Sequence, residues 1–81
     1  MMTKLYRKLK EYDVEMTIRV TADEEHVRFG FIKDGIPGGR IFSFWELENM
    51  RNEAIEDQLI RTLDSLMRTV KILKEYDSVH R

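Results

Sequence analysis

The chain has 81 residues, enough for one domain with a thin hydrophobic core. It has no cysteine, which excludes disulfide frameworks and thiolate metal sites and fits a reducing, cytoplasmic compartment. The formal net charge of −1 argues against general attraction to nucleic acid or anionic membrane. No apolar run approaches the roughly 20 residues of a membrane span, and the N-terminus lacks the apolar stretch of a signal peptide. We therefore expect residues 1–81 to form a single cytoplasmic domain.

The first two predicted elements are a helix and a strand. Leu5, Leu9 and Tyr12 lie at near-helical spacing, so residues 3–12 are either a short amphipathic helix or a frayed arm. Residues 12–20 then alternate apolar and polar side chains, which is typical of a strand with one face on the core. The apolar members of this alternation are Tyr12, Val14, Met16, Ile18 and Val20.

Two further strands complete a predicted sheet. The alternation over residues 27–31 predicts a strand that forms an antiparallel hairpin with the first, because the loop at 21–25 is short. Residues 33–40 contain three glycines and a proline, which favour a second reversal over a phosphate-binding loop because no phosphate-loop pattern is matched. Residues 40–42 then form a short third strand. The predicted fold class is α+β, a three-stranded antiparallel sheet packed by a long C-terminal helix.

The start of that helix carries the most specific local signal in the chain. Ser43 is followed three residues later by Glu46, the spacing of a capping box, and Phe42 and Leu47 lie at the positions of a hydrophobic staple. Helical periodicity follows as far as Tyr76. The sequence thus predicts a helix over residues 44–76.

The apolar stripes of this helix are out of phase. The first stripe comprises Leu47, Met50 and Ala54, and the five-residue step from Ala54 to Leu59 rotates the stripe by over a quarter turn. Either the helix breaks near Asn52, which could cap a second helix, or one continuous helix presents different faces to different partners. The second stripe comprises Leu59, Leu63, Leu66, Val70 and Leu73.

Helix length predicts self-association. A helix over residues 44–76 is roughly 50 Å long, whereas strands of seven or eight residues span only roughly 25 Å. Residues 63–73 must then meet a folded-back segment, the N-terminal helix or a second copy, and we favour a two-fold homodimer. Trp45 points away from the first stripe and is a candidate exposed anchor. The predicted interface residues are Ile60, Leu63, Met67, Val70 and Trp45.

Acidic clusters support an alternative function. If these clusters share one face, they could occupy a basic groove by charge complementarity. The protein would then be an acidic decoy or inhibitor, encoded by a phage-like mobile element, that binds the basic groove of a nucleic-acid enzyme. Direct nucleic-acid binding through the basic residues of segment 1–12 is a third, less favoured hypothesis. The residues of the predicted acidic patch are Asp23, Glu24, Glu25, Glu53, Glu56 and Asp57.

The sequence shows no catalytic constellation. His26 flanks the acidic loop, but we interpret this segment as a solvated hairpin turn, and no metal-ligand spacing is present. We expect Ser43 to cap the helix and the carboxylates of the helix to form a solvated face. We therefore predict a non-enzymatic interaction or regulatory domain without cofactor or metal.

The predicted order helix–strand–strand–strand–helix resembles that of the double-stranded-RNA-binding domain. That family grips phosphates with basic residues at the start of its last helix, where this chain has Glu46 and Glu48, so the resemblance implies topology and not RNA binding. A second similarity is to antitoxins of the HicB type, whose strand, Asp-x-Pro-Gly turn and capped helix are approximated by Asp34, Pro37 and Gly38 with different spacing.

Overall fold

The computed structural model describes residues 2–80. The three strands form one antiparallel sheet in the order β1-β2-β3, so β1 and β3 are its two edges. The predicted α+β fold is confirmed, including the short N-terminal helix and the long C-terminal helix. In chain order the elements are α1 (Thr3–Tyr12), β1 (Glu15–Val20), β2 (His26–Lys33), β3 (Ile36–Ser43), α2 (Phe44–Asn49) and α3 (Asn52–His80).

Helix α1 ends in a left-handed cap at Asp13, whose φ and ψ are 53° and 55°. The N–H of Asp13 donates to the Lys10 carbonyl at 3.3 Å, and the N–H of Val14 donates to the Leu9 carbonyl at 3.0 Å. These bonds satisfy carbonyls that the last helical turn leaves unpaired. Tyr12 therefore belongs to α1, and the first strand is shorter than the alternation over residues 12–20 predicted.

The turn between β2 and β3 consists of only two residues, Asp34 and Gly35. Both have positive φ, 53° and 78°, as a type I′ hairpin turn requires. The third strand consequently has eight residues, starting at Ile36, and is not the short segment 40–42 that the sequence predicted. Pro37 is tolerated within it because β3 is an edge strand.

The capping box predicted at the start of α2 is confirmed. The N–H of Glu46 donates to Ser43 Oγ and the N–H of Ser43 donates to Glu46 Oε1, each at 3.0 Å. Helix α2 stops at Met50, whose backbone is extended with φ −86° and ψ 148°. The sequence left a broken and a continuous helix as alternatives, and the structure has the broken one. Helix α3 starts at Asn52, and the Arg51 carbonyl accepts from the N–H groups of Ala54 and Ile55.

One hydrophobic core lies between the sheet and the helices. Helix α3 crosses β3 and β2 and contacts α1 on its flank. At Gly38 the helix lies so close that an added Cβ would be 3.4 Å from the Leu66 side chain. The buried apolar residues are Leu5, Val14, Val27, Phe29, Phe31, Phe42, Ile55, Leu59, Leu63, Leu66 and Val70.

Helix α3 projects beyond the sheet. Its 29 residues span about 43 Å at 1.5 Å per residue, whereas an eight-residue strand spans about 27 Å. The described chain measures 47 Å along its longest axis, and residues 71–79 are all exposed. None of the helices within residues 2–80 is long and apolar enough to cross a membrane.

Candidate interaction surfaces

The five residues predicted to form a dimer interface do not form one surface. Leu63 and Val70 are buried in the core of a single chain, and Ile60 and Met67 are half-buried against that core. Only Trp45, on α2, is largely exposed, at 70%. The length argument had compared the helix with the sheet alone, whereas α1 also covers α3 and the break at Met50 shortens the helix. The middle of α3 is therefore not available to a second copy.

Polar contacts hold α1 against α3. Lys8 Nζ lies 3.3 Å from Asp64 Oδ1, and the Tyr12 hydroxyl donates to the same oxygen at 3.0 Å. Lys8 Nζ also donates to the Tyr12 hydroxyl, and this bond and Asp64 together raise the pKa of Lys8 above its ordinary value. Because these partners are more than 50 residues apart in sequence, only the folded structure reveals the link.

The sequence predicted that Glu56 belongs to an acidic surface, and this prediction is wrong. Glu56 is instead a buried cap for α1. Its carboxylate accepts the N–H of Leu5 at 3.2 Å, and the residue is only 7% exposed. Met2, at the N-cap position of α1, provides no side-chain cap. The first turn of a helix has unpaired N–H groups, so Glu56 compensates from a distant part of the chain.

The acidic loop between β1 and β2 is organised around Asp23. Its carboxylate accepts the Thr21 hydroxyl and the N–H of Glu25, and it pairs with His26 Nδ1 at 3.0 Å. The Thr21 bond foremost, then the Glu25 bond and His26, lower the pKa of Asp23 to about 2. Ligand atoms of Asp23, Glu25 and His26 lie within 4.8 Å of one another in this exposed turn, a grouping that is common among exposed acidic residues without a metal ion.

The remaining residues of the predicted acidic patch lie at one end of the molecule. The N–H of Phe44, the first residue of α2, donates to the Glu25 carbonyl at 3.0 Å. This bond places the β1–β2 loop beside the start of α2, and only two residues separate the end of α2 from the start of α3. Glu53 and Asp57, both exposed, lie in the first turns of α3.

Strand β1 has an uncovered apolar face. In the β1–β2 register, Ile18 pairs with Phe29 and Val20 pairs with Val27, so each pair shares one face of the sheet. Phe29 and Val27 are buried, but Ile18 and Val20 are 54% and 58% exposed. The expectation that this whole face of the strand meets the core is therefore wrong for Ile18 and Val20, because the helices cover β2 and β3 instead.

The opposite face of the sheet brings two arginines together. Arg19 of β1 pairs directly with Arg28 of β2, and both are exposed. Neither forms an ion pair with any carboxylate within residues 2–80. Like charges directly opposite each other on neighbouring strands are destabilising, so this pair would gain from an external acidic group.

A polar groove of 660 Å³ separates α3 from the free edge of β3. Its charged residues are Arg40 from the strand and Arg61 from the helix, with no carboxylate among the lining side chains. The Arg40 guanidinium lies over the Phe42 ring, 5.0 Å from its centroid. The side-chain carbonyl oxygen of Gln58 is buried beside them and accepts no hydrogen bond from residues 2–80. The sequence analysis considered segment 33–40, which forms one wall of this groove, as a phosphate-binding loop, but it did not predict the groove because the other wall, on α3, is far away in the chain.

Comparison with known proteins gives no relative: no protein-family profile, curated protein or solved structure matches the chain. The similarity in element order to the double-stranded-RNA-binding domain is therefore one of topology alone. Any functional inference has to come from the surfaces described above.

Proposed function

We propose that this protein is a non-enzymatic interaction domain that acts as a homodimer. The observation that carries the proposal is the exposed apolar face of β1, formed by Ile18 and Val20 at an edge of the sheet. Burying these two side chains against a second copy would contribute roughly 25 cal/mol per Å² of apolar surface removed from water, which opposes the loss of translational and rotational freedom on association. This surface replaces the middle of α3 as the first candidate for self-association.

The backbone of β1 is free to pair with another strand. The N–H of Thr21 donates to the His26 carbonyl, and this bond continues the β1–β2 ladder. Because bonded pairs alternate along an antiparallel ladder, the odd-numbered residues of β1 are the ones bonded to β2. The N–H and C=O groups of Met16, Ile18 and Val20 consequently point to the open edge. Edge strands are commonly protected by proline, bulges or lysine. Strand β1 contains no proline, bulge or lysine, although Glu15 and Arg19 place charges on it, whereas the opposite edge, β3, contains Pro37.

Charge complementarity favours one register for a β1–β1 dimer. If two copies pair in antiparallel fashion with the two-fold axis at Thr17, Glu15 of each lies opposite Arg19 of the other. The same register sets Met16 opposite Ile18 on the apolar face. Each Arg19, which lies beside Arg28 within its own chain, thereby gains an acidic partner. Moving the axis to Arg19 would instead oppose two arginines, so the Thr17 register is self-complementary.

The projecting end of α3 is the alternative dimer surface, and it retains part of the interface that the sequence predicted. Ile72 and Val79 are 63% and 77% exposed, and Leu73 and Tyr76 are also largely exposed. A second copy packed there would bury one helical stripe of a few turns. Because Leu63 and Val70 are excluded from it, this surface is smaller than the one predicted.

Sedimentation velocity of charge-swapped variants tests the β1 dimer. Glu15→Arg and Arg19→Glu should each give monomers at concentrations where the wild type is a dimer, and the double variant should recover the dimer. Arg19→Glu should not unfold the chain, because it replaces a repulsive pair with Arg28 by an attractive one.

Matched variants on α3 decide between the two surfaces. Ile72→Lys changes the exposed stripe, and Ser78→Lys, which lies on the other side of the helix at 100° per residue, serves as its control. We expect both variants to remain dimeric. If the dimer dissociates only in Ile72→Lys and the β1 variants remain dimeric, the interface is on α3. A wild type that is monomeric at 100 μM would refute the homodimer.

An acidic decoy that binds the basic groove of a nucleic-acid enzyme is a second candidate function. It is favoured by the location of the β1–β2 loop and the start of α3 at the same end of the molecule. Its acidic residues would be Asp23, Glu24, Glu25, Glu53 and Asp57, without the buried Glu56. The chain should then compete with DNA for a DNA-binding enzyme in low salt, and Glu53→Lys combined with Asp57→Lys should abolish the competition. Equal competition by this variant would dismiss the decoy.

A further inference from the structure

We propose that the groove between α3 and the free edge of β3 binds an extended acidic peptide segment of another protein, which adds to the sheet as a fourth strand. This site is on the edge opposite to β1, so it does not depend on the homodimer. It would give the domain a partner of different chemistry from a second copy.

The backbone of β3 presents the necessary hydrogen-bonding groups. The hairpin closes at the pair of Lys33 and Ile36, and the bond from the N–H of Phe44 to the Glu25 carbonyl continues the same ladder. Even-numbered residues of β3 therefore bond to β2, and the N–H groups of Gly39 and Ile41 point to the open edge. These groups repeat every two residues, at about 6.6 Å, which is the spacing of complementary groups in an added strand.

The charges of the groove select an acidic segment. Arg40 and Arg61 are exposed, and neither forms an ion pair with any carboxylate within residues 2–80. Arg40 pairs in register with the buried Phe29, so its side chain is on the helix-facing side of the sheet. Side chains of an added strand point to this side at every second position, so the best ligand carries Asp or Glu at alternate residues.

Other groups lining the groove favour a peptide over a nucleic acid. Gln58 lines the groove with a side chain whose carbonyl oxygen is buried. Thr62, Ser65 and Thr69 add hydroxyl groups along the helix wall. No aromatic side chain lines the groove, so it lacks the stacking platform on which single-stranded nucleic acids depend.

NMR titration of the ¹⁵N-labelled full chain tests the site. The probe is an acetylated, amidated seven-residue peptide, Thr-Glu-Val-Glu-Val-Glu-Thr, with a Lys-for-Glu peptide as the charge control. The acidic peptide should saturate with a dissociation constant below about 1 mM in low salt and shift the amide signals of Gly39, Ile41 and residues 58–69. Shifts confined to other residues, or no saturable binding, would overturn the proposal.

Backbone methylation separates strand addition from simple charge attraction. Only alternate N–H groups of an added strand face the sheet, so N-methylation of the three glutamates and N-methylation of the two valines should have opposite effects. One of these two peptides should lose binding and the other should retain it. Equal binding of both would mean that the peptide does not pair with β3.

Charge reversal on α3 tests the role of the arginines. Arg61→Glu should weaken the acidic peptide about fivefold or more, whereas Arg68→Glu, an exposed arginine on the α1 side of the same helix, should leave binding unchanged. Equal effects of the two variants would show attraction to the whole helix rather than to the groove. If single-stranded DNA shifts the groove residues and the acidic peptide does not, the site is one for nucleic acid and the proposal is wrong.

Discussion

Asp23 shows how one exposed carboxylate can make the β1–β2 loop sensitive to acid. Hydrogen bonds from Thr21 and Glu25, together with His26, lower its pKa from 3.8 to about 2. Because the folded-state pKa lies below the unfolded value, the carboxylate stabilises the fold above about pH 4 and loses this effect as the pH falls towards 2.

We therefore expect Asp23→Asn to lower stability at pH 7 and to have a progressively smaller effect as the pH falls to 2, where wild-type Asp23 is protonated in the unfolded state and about half protonated in the folded state. Urea unfolding followed by circular dichroism at pH 7, 4, 3 and 2 measures this difference. Glu24→Gln is the control, because the Glu24 side chain forms no hydrogen bond within residues 2–80. A constant difference between Asp23→Asn and wild type at every pH would contradict the assignment.

Glu56 stabilises the first turn of α1 through one hydrogen bond. Glu56→Ala leaves the buried N–H of Leu5 without an acceptor, and loss of a helix cap of this kind costs about 1 kcal/mol. Glu56→Gln keeps a carbonyl oxygen and should cost much less. Hydrogen exchange of the Leu5 amide should accelerate in Glu56→Ala only. If Gln is as harmful as Ala, the charge of Glu56 and not its hydrogen bond supports α1.

The two neighbouring glycines of β3 have different reasons to be glycine. A Cβ on Gly39 would lie 2.5 Å from the Phe29 carbonyl oxygen, which is backbone and cannot move without disturbing β2. A Cβ on Gly38 would lie 3.4 Å from the flexible Leu66 side chain. We expect Gly39→Ala to lower the free energy of unfolding by about 1–3 kcal/mol. Gly38→Ala should change it by less than about 1 kcal/mol, and equal urea midpoints of the two variants would contradict this distinction.

Among the helices and strands, the sequence predicted the features that depend on residues close together in the chain. The Ser43–Glu46 box depends on groups three residues apart, and the structure has it. The break near Asn52 was one of two alternatives that the sequence left open, and the structure has the broken helix. The long third strand was missed because the glycines and proline of segment 33–40 were all assigned to a turn, although Asp34 and Gly35 alone form it. Neither the capping of α1 by Glu56 nor the groove beside Arg40 was predictable, since each joins distant segments.

The projecting end of α3 is not needed for the rest of the chain to fold. Residues 71–79 are exposed, and the ion pair between Lys74 and Asp34 joins two exposed side chains. An exposed pair of this kind contributes at most about 1 kcal/mol. We therefore expect a chain ending at Leu73 to keep the folded structure with a small decrease in its unfolding temperature.

The same truncation distinguishes the two dimer surfaces without changing any residue of the sheet. It removes Tyr76 and Val79 but leaves β1 intact, so a dimer formed through β1 should sediment as a dimer with an unchanged dissociation constant. The charge-swapped Arg19→Glu variant of the truncated chain should then be a monomer, because Glu15 of one copy would face an acidic residue of the other. If the truncated chain is folded by circular dichroism but monomeric, the end of α3 forms the interface, and the exposed face of Ile18 and Val20 is left to another partner.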